Sequence, residues 1–226
     1  WLVKPTTKLI CINNAANPTG AIFDKADLEA IAEIARSVDA YVLSDEVYLP
    51  VAQDQGYVSM LDVYEKAVVT NSLSKSFSAP GLRMGWVIAP QPVADRIRTL
   101  RDYTVICAGV ENDLLGTLVL DHAQEVLARN RAIISDRAKV VEGWLAKTPK
   151  AHWCAPSGVP VSYLSLDLPE GLDDKRFCLD LLDTYGLLLI PGSCFDLPGG
   201  ARLGYCCPEE ELHKGLDLLG QALAAL

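Results

Sequence analysis

Hydrophobic and polar positions along the first 45 residues predict two strands separated by one helix. Residues 8–13 and 41–44 are short apolar runs typical of buried strands. The segment between them has the apolar spacing of a helix, with one face formed by Leu28, Ile31, Ile34, Ala35 and Val38. Asp24 can cap the start of this helix. The order of elements predicts a β-α-β unit with parallel strands and a right-handed crossover.

The same patterning continues to the end of the chain, but the elements become shorter. Further strands are predicted at 67–71 and 84–89, with a looser stretch at 50–56 before them. From residue 93 to about 147 the pattern is mainly helical. The elements predicted beyond the prolines and glycine of 149–160 are a strand at 161–168, a helix near 173–185, strands at 187–190 and 202–206, and a helix at 208–226.

This organisation predicts an α/β protein with two domains. We place the boundary near residue 130, inside the long helical region. Residues 1–130 are then part of a large domain with a mostly parallel sheet, and residues 131–226 are a smaller α+β domain. Because Trp1 is not an initiator methionine and residues 4–8 resemble the approach to a strand, we expect further sequence upstream.

Composition narrows the possible partners. The chain has 226 residues and a formal net charge of −9, which argues against nucleic acid because phosphate backbones bind basic surfaces. There is no apolar run long enough for a membrane span. The seven cysteines are scattered without a CxxC motif, and the three histidines lie far apart in sequence. We therefore expect no zinc site and predict reduced cysteines in a cytoplasmic protein.

Polar side chains follow each of the predicted parallel strands at its carboxyl end, where ligands bind in open α/β sheets. They are Asn17 after the first strand, Asp45 and Tyr48 at the second, and Ser72, Ser74 and Lys75 at the third. Arg83 closes the loop that contains Lys75. If the three strands are parallel, one sheet edge collects a carboxylate, a phenol, an amide, two hydroxyls and a lysine.

This set of side chains suits pyridoxal 5′-phosphate (PLP), which enzymes bind as a lysine Schiff base with an acidic or basic residue at the pyridine nitrogen. Lys75 would be that lysine and the catalytic residue, and Asp45 would keep the nitrogen protonated. Tyr48, aided by Asn17, could contact the phenolic oxygen of the cofactor. The phosphate would be held by Ser72, Ser74 and Arg83. As alternatives, Asp45 could cap a turn or pair with a Lys or Arg, and Asn17 could be a turn residue before Pro18.

Three blocks of sequence resemble the class I and II aminotransferases, which are PLP enzymes of fold type I. The blocks are Asn13–Gly20 (NNAANPTG), Ser44–Tyr48 (SDEVY) and Ser72–Trp86 (SLSKSFSAPGLRMGW). Their order and spacing are also those of the family. Residues 191–204 resemble the family segment whose arginine binds the α-carboxylate of the substrate, and Arg202 takes that position. A buried arginine needs an anionic partner, so the alternative for Arg202 is a structural Asp or Glu.

The resemblance covers the whole chain and places it in the carboxy-terminal portion of the family fold. It implies transfer of an amino group from an amino acid to a 2-oxo acid, with Asn17 and Arg202 binding the substrate, in a homodimer. A carbon–sulfur lyase of the same fold and a non-catalytic fragment remain alternatives. The sequence Ser72–Lys75 also fits the S-x-x-K motif of penicillin-binding proteins, but that motif opens a helix, whereas here it follows a predicted strand.

Overall fold

The computed structural model describes residues 2–52 and 56–226, which divide into two compact units. Unit 1 contains the described residues up to Ala16 together with Ile22–Arg131, and unit 2 contains Asn17–Ala21 and Ala132–Leu226. Trp1 and residues 53–55, which form the middle of the predicted loose stretch, lie outside the described residues.

Within its described residues, unit 1 contains a four-stranded sheet whose order follows the sequence. The strands are β1 (Leu9–Asn13), β2 (Tyr41–Asp45), β3 (Ala67–Ser72) and β4 (Gly85–Ile88). β1, β2 and β3 are parallel, whereas β4 is antiparallel to β3. The parallel β-α-β unit predicted from the sequence is therefore present. Asn13 is paired with Asp45, so both residues lie at the same edge of the sheet.

Helix α1 (Lys25–Ser37) makes the crossover between β1 and β2. Asp24 accepts a hydrogen bond from the Asp27 amide, and the Asp27 side chain bonds back to Asp24, forming a capping box. Leu28 and Ala35 are buried in the core, as the helical pattern predicts. Ile34, which we placed on the same face, is 47% exposed, because it lies at the margin of the apolar stripe rather than at its centre.

The remainder of unit 1 is mainly helical. Its helices are α2 (Leu49–Ala52), α3 (Gln91–Arg101), α4 (Val110–Asp121) and the first part of α5 (Ala123–Leu145), which contains the boundary between the units. Apolar side chains on α3, α4 and the segment between them are strongly exposed, among them Leu100, Tyr103, Val105, Val110 and Leu114.

Unit 2 contains an antiparallel sheet with the strand order β5-β6-β8-β7 in its described residues. The strands are β5 (Ala151–Trp153), β6 (Val161–Leu166), β7 (Ile190–Pro191) and β8 (Gly200–Gly204), and the helices that follow the boundary are α6 (Asp174–Tyr185) and α7 (Glu209–Ala224). Asp173 caps the start of α6, and Gly186 ends it with a φ of 66°. The sequence did not predict β5, and only the end of the predicted strand 187–190 is paired.

Candidate active site

Asp45 is the last residue of β2, and its backbone is fixed at the end of the sheet. Its carbonyl oxygen accepts hydrogen bonds from the Asn14 amide (2.8 Å) and from Asn13 Nδ2 (3.1 Å). The carboxylate Oδ1 has only long contacts, with Thr70 Oγ1 at 3.3 Å and the Val47 amide at 3.4 Å. Asp45 makes no ion pair with any described residue, so this half-buried carboxylate keeps most of its capacity to accept hydrogen bonds.

Glu46, the next residue, is buried (3% exposed) and was not singled out from the sequence. Its carboxylate accepts hydrogen bonds from Ser44 Oγ (2.9 Å), Ser59 Oγ (2.7 Å) and the Met60 amide (2.9 Å). Burial raises the pKa of Glu46 above its ordinary value, although these hydrogen bonds oppose the rise. Glu46 therefore anchors the turn that begins at Asp45.

The structure brings Lys75 close to Tyr48. Lys75 Nζ lies 5.9 Å from the centroid of the Tyr48 ring, and Tyr48 itself is buried. The loop is held there by Ser76, whose amide (3.3 Å) and hydroxyl (2.8 Å) both donate to the Val47 carbonyl. The Ser76 carbonyl in turn accepts a hydrogen bond from Asn130 Nδ2 at 2.8 Å. Lys75 is exposed, and no described carboxylate forms an ion pair with it.

The two predicted serines lie at the end of β3. Ser72 is the last residue of the strand, and its Oγ accepts a hydrogen bond from the Ser74 amide at 3.2 Å. The chain from Ser72 to Lys75 then forms a turn rather than a helix, which disagrees with the penicillin-binding motif.

Arg83 ends the loop that contains Lys75 and has the left-handed φ of 51°. Its guanidinium donates to the Pro80 carbonyl at 3.0 Å and is otherwise exposed, without an ion pair in the described part of the chain. It lines an open cavity of about 920 Å³ in unit 1, together with Gly85, Arg101 and Asn112.

The two predicted substrate-binding residues lie together in unit 2. Arg202 Nη1 donates to Asn17 Oδ1 at 3.3 Å, and the guanidinium carbon lies 5.2 Å from the centroid of the Phe195 ring. Arg202 is half-buried in β8, opposite Tyr163 of β6. Among the described residues no Asp or Glu forms an ion pair with Arg202, so the alternative of a structural acidic partner has no support.

The unpaired charges of unit 1 fit the chemistry of PLP. Asp45, Lys75 and Arg83 make no ion pair within residues 2–52 and 56–226, so their charged atoms are available to a ligand. PLP would supply a protonated ring nitrogen, an aldehyde and a phosphate, one for each of the three groups. No group of three His, Cys, Asp or Glu residues in the described part of the chain could hold a metal ion. None of its helices is long and apolar enough to cross a membrane.

Comparison with known proteins gives the family. The sequence profile for aminotransferase class I and II matches residues 2–219. The chain is 29% identical to an aspartate aminotransferase of Thermotoga maritima, covering 96% of this chain and 56% of that protein. It is 30% identical to an arginine–pyruvate transaminase of Pseudomonas aeruginosa, covering 98% of this chain and 59% of that protein.

Solved structures agree with the sequence comparison. A PLP-dependent aminotransferase of Streptococcus suis superimposes with a TM-score of 0.92 at 44% identity, over 99% of this chain and 59% of that chain. The chain thus spans just over half the length of the proteins it matches, and its α/β fold is that of PLP fold type I. The chain belongs to the aminotransferase class I and II family.

Proposed function

We propose that this chain is part of a PLP-dependent aminotransferase that moves an amino group from an amino acid to a 2-oxo acid. One observation carries the proposal: Asp45 ends β2, Lys75 lies in the turn after β3 and Arg83 lies two residues before Gly85, which pairs with the last residue of β3. None of the three forms an ion pair with a described residue. Relatives named as aminotransferases, including the aspartate and arginine–pyruvate enzymes, support the reaction class.

The proposal gives each residue of unit 1 one task toward the cofactor. Lys75 would bind it covalently, and the Asp45 carboxylate would hold a proton on the pyridine nitrogen. Arg83, Ser72 and Ser74 bind the phosphate through guanidinium and hydroxyl hydrogen bonds. Tyr48 donates to the phenolic oxygen, and Asn17 of unit 2 is proposed to share this contact.

The chemistry follows from these tasks. When bound, PLP supplies an electron sink for the bonds of the substrate's α carbon. Lys75 would be the group that takes the proton from the α carbon of the substrate. The same amine would deliver this proton to the cofactor carbon that keeps the amino nitrogen.

Arg202 is proposed to bind the α-carboxylate of the substrate, with Asn17 as a second contact. A planar guanidinium matches a carboxylate through two parallel hydrogen bonds. The support for this assignment is local to unit 2: Asn17 and Phe195 contact the guanidinium, while no described carboxylate neutralises it.

The proposal also covers the part of the family fold to which the chain corresponds, its oligomeric state and its cellular location. The order of the motifs supports a chain that corresponds to the carboxy-terminal portion of the family fold. The exposed apolar side chains on α3 and α4 support a homodimer, which is the state the resemblance implies. A cytoplasmic location is supported by the cysteines, each of which is free in the described structure.

The test is an amino-transfer assay with cofactor-loaded protein and a panel of amino acids, with 2-oxoglutarate or pyruvate as acceptor. We expect the donor's 2-oxo acid and a new amino acid in equal amounts, and neither product without an acceptor. The Lys75→Ala variant should be inactive, whereas Lys25→Ala, an exposed lysine of α1, should match the wild type. Ammonia and pyruvate formed without an acceptor would instead indicate the lyase. A protein that neither retains PLP after loading nor forms any product would indicate a non-catalytic fragment.

A further inference from the structure

A buried carboxylate in unit 2 has a larger set of hydrogen bonds than a helix start requires. Asp174, the first residue of α6, is 2% exposed. Its Oδ2 accepts hydrogen bonds from the amides of Ser193 (3.0 Å), Gly199 (3.0 Å) and Gly200 (3.5 Å). Burial alone would raise the pKa of Asp174, but the bonds from Ser193, Gly200 and Gly199 outweigh it and hold the pKa below its ordinary value. Asp174 is therefore ionised at neutral pH.

The three amides belong to one segment, residues 192–200, which we call the β8 loop. Close packing restricts it as well. Tyr163 Oη donates to the Leu197 carbonyl at 2.6 Å. A Cβ added to Gly192 would lie 2.1 Å from the Leu197 carbonyl oxygen, and one added to Gly200 would lie 2.0 Å from the Leu164 carbonyl oxygen. The backbone approaches so closely that only glycine fits at these positions.

The β8 loop contacts Arg202 through the ring of Phe195. Its Phe195 ring lies 5.2 Å from the guanidinium carbon of Arg202, within the range of a cation–π contact. The loop also leads into β8, where Arg202 lies two residues after Gly200. The contacts of Asp174 at Ser193 and at Gly199 and Gly200 therefore fix both ends of the segment that carries Phe195.

We infer that Asp174 is a positioning residue for substrate binding: through the β8 loop it orients Phe195 and Arg202 so that the guanidinium meets the substrate carboxylate. This inference rests on the proposed function, because it requires Arg202 to bind an amino acid. Asp174 does not itself contact the substrate. Its charge matters because an ionised acceptor makes stronger hydrogen bonds to backbone amides than a neutral one.

The test compares cofactor-loaded wild type with Asp174→Asn, which keeps the shape and one acceptor oxygen but loses the charge. The matched control is Asp183→Asn, which removes an exposed carboxylate from the same helix. We expect the KM for the amino acid to rise about 10-fold in Asp174→Asn, with kcat within about 2-fold of wild type and cofactor content unchanged. Asp183→Asn should behave as wild type.

A substrate without a carboxylate distinguishes a defect in carboxylate binding from a general loss of activity. The slow reaction of a primary amine that lacks a carboxylate should proceed at the same rate in Asp174→Asn as in wild type. If Asp174→Asn does not fold, Tyr163→Phe provides the test, because it removes only the hydroxyl that contacts the Leu197 and Pro198 carbonyls of the β8 loop. It should raise the amino acid KM about 3-fold, in line with the loss of one neutral hydrogen bond.

The outcomes distinguish the inference from the proposed function. An unchanged amino acid KM in Asp174→Asn, or in Tyr163→Phe when the first variant is unfolded, overturns the inference alone. Equal losses toward the amino acid and the primary amine overturn it as well, because the defect would then not concern the carboxylate. If the wild type converts no amino acid, the proposed function fails and the inference falls with it.

Discussion

The strand ends of unit 1 and the start of α6 in unit 2 both contain charged side chains, but the fold provides these charges with different numbers of hydrogen-bond partners. The Asp174 carboxylate accepts three backbone hydrogen bonds. The Asp45 carboxylate has two contacts of 3.3 and 3.4 Å, and neither Lys75 nor Arg83 forms an ion pair with a described residue. Backbone amides thus occupy the buried Asp174 carboxylate, whereas the charged atoms of Asp45, Lys75 and Arg83 remain accessible to a ligand.

The same contrast occurs between two adjacent residues. Glu46 is buried and accepts three hydrogen bonds, while Asp45 beside it keeps free acceptor capacity. We therefore expect charge removal to have different consequences at these two kinds of residue. Removing the charge of a satisfied residue should change stability or orientation, and removing the charge of an unsatisfied one should change cofactor or substrate chemistry.

The largest effect is expected at Asp45. Asp45→Asn removes the negative charge that would hold a proton on the cofactor nitrogen, and kcat should fall about 1000-fold, or about 4 kcal/mol of transition-state stabilisation. The thermal midpoint should change little, because the carboxylate makes only long contacts. Steady-state kinetics and thermal unfolding measure the two effects. As a control, Asp121→Asn removes an exposed carboxylate from α4; an equal loss of kcat there, or wild-type kcat in Asp45→Asn, would contradict the comparison.

A smaller effect is expected at Arg202. Arg202→Gln should raise the KM for the amino acid about 100-fold, since removing one partner of a charged pair costs about 2–5 kcal/mol. Cofactor content should stay at the wild-type level. Arg176→Gln is the matched control, because Arg176 is an exposed arginine of unit 2 whose ion-pair partner among the described residues is Asp180 on the same helix. A KM for Arg202→Gln within about 2-fold of wild type would show that another group binds the carboxylate.

The smallest effect is expected at Glu46 and concerns stability. Because burial raises the pKa of Glu46 in the folded state, its contribution is fully present below the unfolded value near 4.5 and is lost as the pH rises through the folded pKa. Relative to Glu46→Gln, wild type should therefore lose stability between about pH 5 and about pH 8. Urea unfolding of both proteins at the two pH values measures this difference. A wild type that gains stability over the variant as the pH rises would reverse the expected sign.

The parallel sheet and its strand-end residues could be predicted because their signals are local. Residues 8–45 contain apolar runs, helical spacing and a cap at Asp24, and parallel strands bring their carboxyl ends to one edge. The three-residue β5 has too little pattern of its own, and its pairing with β6 depends on distant sequence. The leucines of 187–189 have the composition of a strand, but pairing begins only at Ile190, because tertiary contacts decide short strands.

The two acidic residues that hold the loops were not predicted from the sequence. Asp174 follows the capping residue Asp173 and has the composition of an exposed helix start, while Glu46 directly follows the more conspicuous Asp45. Nothing local distinguishes a buried carboxylate from a solvated one, since burial depends on segments far away in sequence. By contrast, Lys75 and Tyr48 could be expected to lie close together, because each follows one of two neighbouring parallel strands.

The most direct test of the central claim is borohydride reduction of the cofactor-loaded protein followed by peptide mapping. The claim is that Lys75, left without a counter-charge at the end of β3, carries the cofactor. We predict a pyridoxyl group on Lys75, its loss in Lys75→Ala and its retention in Lys25→Ala. A label on a different lysine, or no label on protein freshly loaded with PLP, would contradict the assignment.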